Sequence, residues 1–331
     1  MKEREYTIDL ARVISTFLVM LAHVSIPNNI REIRSFDVIL LIFISGRCIN
    51  YKNYFHYLLK RFKRLVVPTW GLLIVLFSIT EVVCKILKKG MIYTPLQIVN
   101  SFLFFNDGIG YIWIIRIYLG IAIILPFIFY LLKYIRNDAI KILIIYVFLV
   151  VLAYLKIDIK NLSFKYYIYE ILVYTVISSL SYSIFNIENE ERRNRLMYLL
   201  LLVSLFFTVS LSINGFIPNE NKYPPRGLYI FYGIFMSILF FKLLEKIEFK
   251  FKKLYFFNII LYISQQSFNL YLIHIIVLSF INLSSKHFCF KFNWFVEYLL
   301  VVFISILGVV FIDILKKIIT KKLSRRKNEK N

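Results

Sequence analysis

Charged residues are scarce in this sequence. Asp, Glu, Lys and Arg together make up 18% of its 331 residues, whereas hydrophobic residues make up 60%. One water-surrounded core of this length does not hide so much apolar surface, so a soluble enzyme and a disordered chain are both disfavoured. The composition predicts an all-α, polytopic integral membrane protein whose partner and solvent is the lipid bilayer.

Cysteine is also rare, and the signatures of several enzyme classes are missing. Cys48, Cys84 and Cys289 lie far apart in the chain, so they predict neither a metal site nor a disulfide framework. The sequence has no HExxH metalloprotease motif, no Walker phosphate loop and no GxGxxG dinucleotide turn. We therefore expect no metal, and any activity has to come from other polar groups.

Acidic residues are outnumbered, with 19 Asp and Glu against 41 Lys and Arg, which gives a formal net charge of +22. In a soluble protein this excess indicates a nucleic-acid partner. Here the basic residues form short clusters between apolar runs, and neither a zinc-finger spacing nor an RNA-binding aromatic signature is present. We expect no nucleic acid, because membrane topology accounts for such clusters.

Ten apolar runs approach the length of about 20 residues that a helix needs to cross a bilayer. Their approximate bounds are 8–26, 36–50, 65–84, 111–132, 139–156, 166–186, 196–214, 228–244, 257–282 and 294–315. The second run is short, and the segment 96–106 predicts an interfacial helix because it is too short to span.

The distribution of Lys and Arg predicts the orientation of these spans. If the N-terminus lies inside, 26 basic residues fall on the inner side and 12 on the outer side. Because basic residues favour cytoplasmic loops, we expect about ten transmembrane helices with both termini in the cytoplasm, in the plasma membrane. No polar loop is long enough to fold alone, so residues 1–331 are expected to form a single integral membrane domain.

The first span carries three polar groups that a membrane disfavours, Asp9, Arg12 and His23. A charged group at mid-bilayer costs several kcal/mol, so each one is a functional-site hypothesis or half of a structural pair. Arg12 and His23 are separated by about three helical turns, or roughly 16 Å along the axis. The two side chains are therefore expected to point in nearly the same direction, with Arg12 nearer the cytoplasm.

Two more arginines, Arg61 and Arg64, stand in the segment KRFKRLVVP, which we interpret as a cytoplasmic loop ahead of the third span. They are three residues apart and would share one side of a helix. The planar guanidinium fork suits phosphate groups. Together with Arg12 they predict a site for a cytosolic phosphorylated ligand whose tail reaches toward His23.

These residues resemble the membrane-bound acyltransferase-3 family, which acylates cell-surface carbohydrates. Its first helix carries Arg, ten intervening residues and His, here Arg12 and His23, and its third carries Arg-x-x-Arg, here Arg61 and Arg64. Further segments resemble the family at four places: Ser45 and Gly46 in FISGR, Trp113, Arg116 and Pro126 in GYIWIIRIYLGIAIILPF, Pro224 and Pro225 in KYPPRGLYIFYG, and Ser267, Tyr271 and His274 in SQQSFNLYLIH.

The resemblance implies that the single domain is an acyltransferase with acetyl-coenzyme A as donor and a hydroxyl of a cell-surface glycan or lipid-linked sugar as acceptor. It places His23 at the point of transfer, as a general base or as a transiently acylated nucleophile. Arg12, Arg61 and Arg64 would bind the donor. Supporting or acceptor-side roles are expected for Asp9, Ser45, Trp113, Arg116, Tyr271 and His274.

Structural interpretations compete with these roles. Arg12 would neutralise Asp9 on the same helix face, and Arg61 and Arg64 would be ordinary positive-inside residues. His274 would hydrogen-bond between helices, and Arg116 would pair with Glu170 or Asp107. Trp113 and Tyr271 would be packing or belt aromatics.

Two other functions also fit a ten-span protein with buried charge. One is a polysaccharide exporter or flippase, which predicts a wide polar pathway, and the other is an accessory membrane protein of glycan assembly. Few spans other than the first carry charged residues, which favours a localised site over an exporter, and a structural partner would leave the alignment of Arg12 with His23 unexplained.

Overall fold

The structure, a computed structural model, describes residues 5–47, 53–86, 88, 90–155, 164–252, 255, 257–288 and 292–328. Within these ranges all regular elements are helical, as predicted. The α-helices are α1 Tyr6–Ala22, α2 Asn28–Ile33, α3 Asp37–Arg47, α4 Tyr54–Ile86, α5 Pro95–Phe102, α6 Trp113–Leu132, α7 Asp138–Tyr154, α8 Phe164–Phe185, α9 Glu190–Leu211, α10 Gly227–Lys252, α11 Phe257–Gln265, α12 Ser267–Phe288 and α13 Trp294–Asn328. Short 3₁₀ turns cover Arg34–Phe36 and Pro218–Asn221.

Local sequence signals explain where several helices begin. The α5 helix starts with a capping box, in which the Thr94 hydroxyl accepts from the Gln97 backbone N–H and the Gln97 side chain accepts from the Thr94 N–H. Asn137 and Asn189 cap α7 and α9 with their side-chain oxygens. The segments between the predicted spans therefore contain N-cap residues, which accept hydrogen bonds from the otherwise unpaired N–H groups of a first helical turn.

The chain divides into two compact units. The terminal unit combines Met1–Pro27 with Phe249–Asn331, and the central unit is Asn28–Glu248. In the terminal unit α1 packs against α11, α12 and α13. Its apolar core is built from Val13, Met20, Ile263, Leu270 and Val309.

The predicted span 257–282 is divided into two helices, because the chain bends by 75° between α11 and α12. Gln266 stands at the break, and its backbone N–H still donates to the Tyr262 carbonyl at 3.0 Å. Apolar periodicity does not register this bend, since both halves are equally apolar and no proline or glycine marks it. The two helices on either side of the bend both pack against α1.

In the central unit α8 is the hub, packing against α3, α6, α7 and α9. Small side chains allow the closest of these contacts. Gly46 of α3 faces the Ser178 carbonyl and the Ser181 side chain of α8, and the Ser181 hydroxyl donates to the Phe43 carbonyl. Because the backbones approach so closely, there is no room for a Cβ atom at position 46.

Among the residues that the structure describes, six helices are long and apolar enough to cross a membrane, namely α4, α6, α8, α9, α10 and α13, and the bent pair of α11 and α12 makes up to seven. Three other predicted spans correspond to shorter helices: α1 and α7 have 17 residues each and α3 has 11. At a rise of 1.5 Å per residue, 17 residues extend about 26 Å, the lower end of what a span needs.

We expect Gly46→Ala to destabilise the protein by about 1–3 kcal/mol, because the added Cβ collides with the Ser178 carbonyl, which belongs to a packed helix backbone. Gly71 provides a matched control, since a Cβ at that position meets nothing within 4 Å. Gly71→Ala in α4 should be neutral or stabilising by up to about 1 kcal/mol. Unfolding of the purified protein in mixed micelles measures both, and equal stability of the two variants would contradict the close packing of α3 and α8.

Candidate functional site

An ion pair and a serine tie α1 to α11 in the terminal unit. The Arg12 guanidinium lies 3.4 Å from the Asp9 carboxylate and donates to the Ser264 hydroxyl at 3.2 Å, while Ser264 donates to Asp9 at 2.6 Å. Asp9 is 6% exposed. The structure thus contains the Asp9–Arg12 contact that the spacing on α1 favours, and it adds a third member from the distant end of the sequence.

His23 stands where α1 ends. Its backbone N–H donates to the Met20 carbonyl at 3.1 Å. The helix was predicted to continue to residue 26, but it ends at Ala22. The His23 side chain is partly buried. Asp9 and Arg12 therefore occupy the beginning of α1 and His23 its end, so the fixed charges and the imidazole are separated along one helix.

The His23 ring stacks on a second imidazole. The ring centroids of His23 and His274 are 5.4 Å apart with an interplanar angle of 27°, and the Tyr271 ring lies 5.3 Å from His274 on its own helix. His274 is completely buried. Near its nitrogens lie the Leu270 and Tyr271 carbonyls of α12, but neither nitrogen makes a hydrogen bond of normal geometry within the described chain.

These ring contacts bring His23 of α1 together with Tyr271 and His274 of α12, all three of which sequence analysis named. Imidazole nitrogens accept and release protons near neutral pH and are also nucleophiles. Among the described residues, no group of three or more His, Cys, Asp or Glu side chains is placed to hold a metal ion. The chemistry that this arrangement offers is proton transfer or acyl transfer at an imidazole nitrogen.

Arg61 and Arg64 lie on one helix, because α4 continues through the segment that sequence analysis interpreted as a cytoplasmic loop. The helix begins at Tyr54, eleven residues before the apolar run that predicted it. The Arg61 guanidinium lies over the Tyr57 ring at 5.3 Å, and Arg64 is exposed. The two arginines belong to the central unit and Arg12 to the terminal unit, so a donor site shared by all three stays a prediction.

Arg116 forms a buried ion pair with Glu170, which is one of the two acidic residues that sequence analysis considered as its partner. Its guanidinium donates to Glu170 of α8 at 2.6 Å, to the Phe104 carbonyl at 2.6 Å and to the Asn106 side chain at 3.1 Å. The same group lies 4.2 Å over the Tyr167 ring. Such a network fixes the guanidinium, because three acceptors and a ring face surround one cation.

A second buried network in the central unit was missed by sequence analysis. Asp37, at the start of α3, accepts from Arg34 at 2.6 Å and from the Lys222 ammonium at 3.3 Å. All three residues are at most 5% exposed. Burial lowers the pKa of Lys222, and the charges of Asp37 and Glu170 oppose that shift. The spacing of Arg34 and Asp37 on one helical turn was a signal in the sequence, whereas Lys222 lies 185 residues away.

Ser45 and Trp113 make local packing and hydrogen-bond contacts. The Ser45 hydroxyl donates to the Ile42 carbonyl of its own helix at 2.8 Å, which turns it back on α3. Trp113, at the first turn of α6, packs against Tyr174 at 6.0 Å and against the edge of Tyr223 at 5.4 Å. Trp113 therefore belongs to an aromatic group in the central unit.

Comparison with known proteins gives one match. The model of a protein family described as an acyltransferase domain, acyltransferase-3, matches residues 5–314, which run through both compact units. The matched range includes His23, His274 and the three arginines of the predicted donor site. No curated protein and no solved structure matches the chain significantly.

We expect Ser264→Ala to lower the free energy of unfolding by about 1–3 kcal/mol, because it removes a hydrogen bond from the buried Asp9 carboxylate. Ser279→Ala is the control, since the Ser279 hydroxyl donates to the Ile275 carbonyl of its own helix and its loss uncovers no charge. Denaturant titration in mixed micelles distinguishes the two. A Ser264→Ala protein as stable as the Ser279→Ala protein would mean that the network does not tie α1 to α11.

Proposed function

Since the chain belongs to the acyltransferase-3 family, we propose that it transfers an acyl group, most simply acetyl, from cytosolic acyl-coenzyme A to a hydroxyl of a cell-surface or lipid-linked glycan. The family match and the long apolar helices identify a multi-pass membrane protein with an acyltransferase domain. The observation that carries the finer proposal is the stack of His23 on the buried His274, within the matched range.

The proposed topology has about ten spans with both termini in the cytoplasm of the cell, in its plasma membrane. It is supported by the excess of Lys and Arg on one side of the apolar runs. It requires the short helices α1, α3 and α7 to cross or nearly cross the bilayer, which local thinning of the bilayer allows for a helix shorter than the hydrocarbon core. Residues 1–331 are proposed to act as one domain, because the family match extends through both units.

The donor is proposed to bind through arginine. On this topology Arg12, Arg61 and Arg64 each lie toward the cytoplasmic end of their own helix. Coenzyme A carries phosphates at one end and a thioester at the end of a long pantetheine arm. Guanidinium groups suit its phosphates, and the roughly 16 Å rise from Arg12 to His23 suits an extended arm.

The transfer step is proposed to use a ring nitrogen of His23. In direct transfer the nitrogen takes the proton of the acceptor hydroxyl, the hydroxyl oxygen attacks the thioester carbonyl carbon, the C–S bond breaks, and coenzyme A leaves with the proton as its thiol. In the alternative route the nitrogen attacks the thioester carbonyl carbon, the C–S bond breaks, and coenzyme A leaves as its thiol with the imidazole proton; the acceptor oxygen later attacks the acyl-histidine, the C–N bond breaks, and the freed nitrogen takes the hydroxyl proton. The stacked His274 ring fits both routes, since it supports the His23 ring without adding a fixed charge.

We expect His23→Ala to reduce acyl transfer by roughly 10²–10⁴-fold while leaving the affinity for a thioether analogue of acetyl-coenzyme A within about threefold of the parent. Replacing Arg61 and Arg64 together by Gln should weaken binding of the same analogue about tenfold or more, because two cations that suit its phosphates are lost. Radiolabelled acetyl transfer and equilibrium binding in membranes measure the two effects separately.

Two exposed residues serve as controls for these variants. His56→Ala removes an exposed histidine of α4, and Arg136→Gln removes an exposed arginine between α6 and α7. Neither should change transfer or donor affinity. Unchanged transfer in the His23→Ala protein would refute the role of His23, and unchanged analogue affinity in the double arginine variant would refute the donor site.

A further inference from the structure

Ser264 of α11 bonds both charged residues at the beginning of α1. Its hydroxyl donates to the Asp9 carboxylate at 2.6 Å and accepts from the Arg12 guanidinium at 3.2 Å. A serine hydroxyl has one proton to donate, and here that proton goes to Asp9. Because Arg12 also contacts Asp9, the three side chains form a closed triangle within the terminal unit.

The contact between Asp9 and Arg12 is long for an ion pair. Arg12 and Ser264 bond the same carboxylate oxygen, Oδ1, with the guanidinium at 3.4 Å and the hydroxyl at 2.6 Å. Charge-assisted N–H···O bonds usually measure about 2.7–2.9 Å. The Arg34–Asp37 pair measures 2.6 Å, so a separation of three residues by itself permits a shorter contact. The short bond from Ser264 therefore satisfies Oδ1 and leaves Asp9 holding the guanidinium more weakly.

The accessible surface of this triangle belongs mainly to the cation. The Arg12 side chain is 29% exposed, whereas the Asp9 side chain is 8% exposed and Ser264 is 1% exposed. A ligand that approaches the triangle therefore meets the guanidinium before it meets the carboxylate. Such an arrangement favours an anionic ligand, and the guanidinium fork suits a phosphate in particular.

We propose that Ser264 is a positioning residue for the acyl donor. Its hydroxyl occupies the Asp9 carboxylate and thereby keeps the Arg12 guanidinium available to the phosphates of acyl-coenzyme A. This inference rests on the proposed function, because it takes Arg12 as a residue that binds the donor. It gives a part in donor binding to an uncharged residue of α11, which acts through Arg12.

Loss of this hydroxyl has a defined electrostatic consequence. Without the bond from Ser264, the buried Oδ1 atom of Asp9 needs another donor, and the Arg12 guanidinium is already next to it. The Asp9–Arg12 pair then tightens, because a closer cation compensates the buried carboxylate. A donor phosphate has to compete with that tighter pair, so donor affinity falls although Arg12 is still present.

Equilibrium binding of the thioether analogue of acetyl-coenzyme A to the full chain in nanodiscs tests this role. We expect Ser264→Ala to weaken the affinity about fivefold or more, and Ser279→Ala, the matched control, to leave it unchanged. Unfolded protein lowers the number of binding sites and not their affinity, so a loss of stability does not produce this result. In radiolabelled transfer, Ser264→Ala should raise the KM for acetyl-coenzyme A by a similar factor and keep kcat within about threefold.

A second substitution separates positioning from a purely structural role. Asp9→Asn removes the negative charge that would draw in Arg12. The protein with both Ser264→Ala and Asp9→Asn should therefore bind the analogue within about threefold of the parent. If Ser264 only joined α1 to α11, the second substitution would remove a further contact, and the double variant would bind no better than Ser264→Ala.

Parent-like affinity of the Ser264→Ala protein, or failure of Asp9→Asn to restore the affinity, would overturn the proposal. Arg12→Gln distinguishes this failure from failure of the proposed function. If the positioning role alone is wrong, Arg12→Gln weakens analogue binding about tenfold or more while Ser264→Ala does not. If Arg12→Gln leaves the affinity unchanged, Arg12 does not bind the donor, and the proposed donor site is wrong together with the positioning role.

Discussion

Charges inside an apolar environment need partners, and the described part of the chain is organised around that requirement. Asp9, Arg12 and Ser264 bond one another in the terminal unit. Arg116 with Glu170, and Asp37 with Arg34 and Lys222, do so in the central unit. Each network joins segments that are distant in sequence. Leaving any one member unpaired in a low-dielectric interior would cost several kcal/mol. The networks therefore fix which helices lie together.

A neutral histidine does not need a counter-ion. The proposed reaction centre, unlike the ion-pair networks, therefore contains no paired charge. A neutral imidazole is tolerated in a buried position without a counter-ion, and it still offers a nitrogen lone pair. His23 and His274 stack at 5.4 Å at the opposite end of α1 from the Asp9–Arg12 pair. The first helix thus carries a permanently charged group at one end and an imidazole at the other. A donor with phosphates at one end and a thioester at the far end of its arm would meet these two groups in the same order.

Short-range relations were predictable from the sequence, and long-range ones were not. Helix content follows from apolar runs, and the Asp9–Arg12 contact follows from spacing on one helix. The Ser264 partner, 255 residues from Asp9, and the Lys222 partner, 185 residues from Asp37, follow only from tertiary packing. The early start of α4 escaped detection because a hydropathy window marks where lipid contact begins, whereas helix hydrogen bonds continue into the polar segment that contains Arg61. The bend at Gln266 could not be predicted, because no proline or glycine lies at that position.

The most direct test of the account is the O-acyl content of surface glycans in a host strain whose own acylation has been removed. Cells producing the intact protein and cells producing the His23→Ala form at the same membrane level are compared by the acyl groups that mild alkali releases. The account predicts acylated glycan in the first and none above background in the second. Equal acyl content in both would contradict the claim that His23 is the point of transfer.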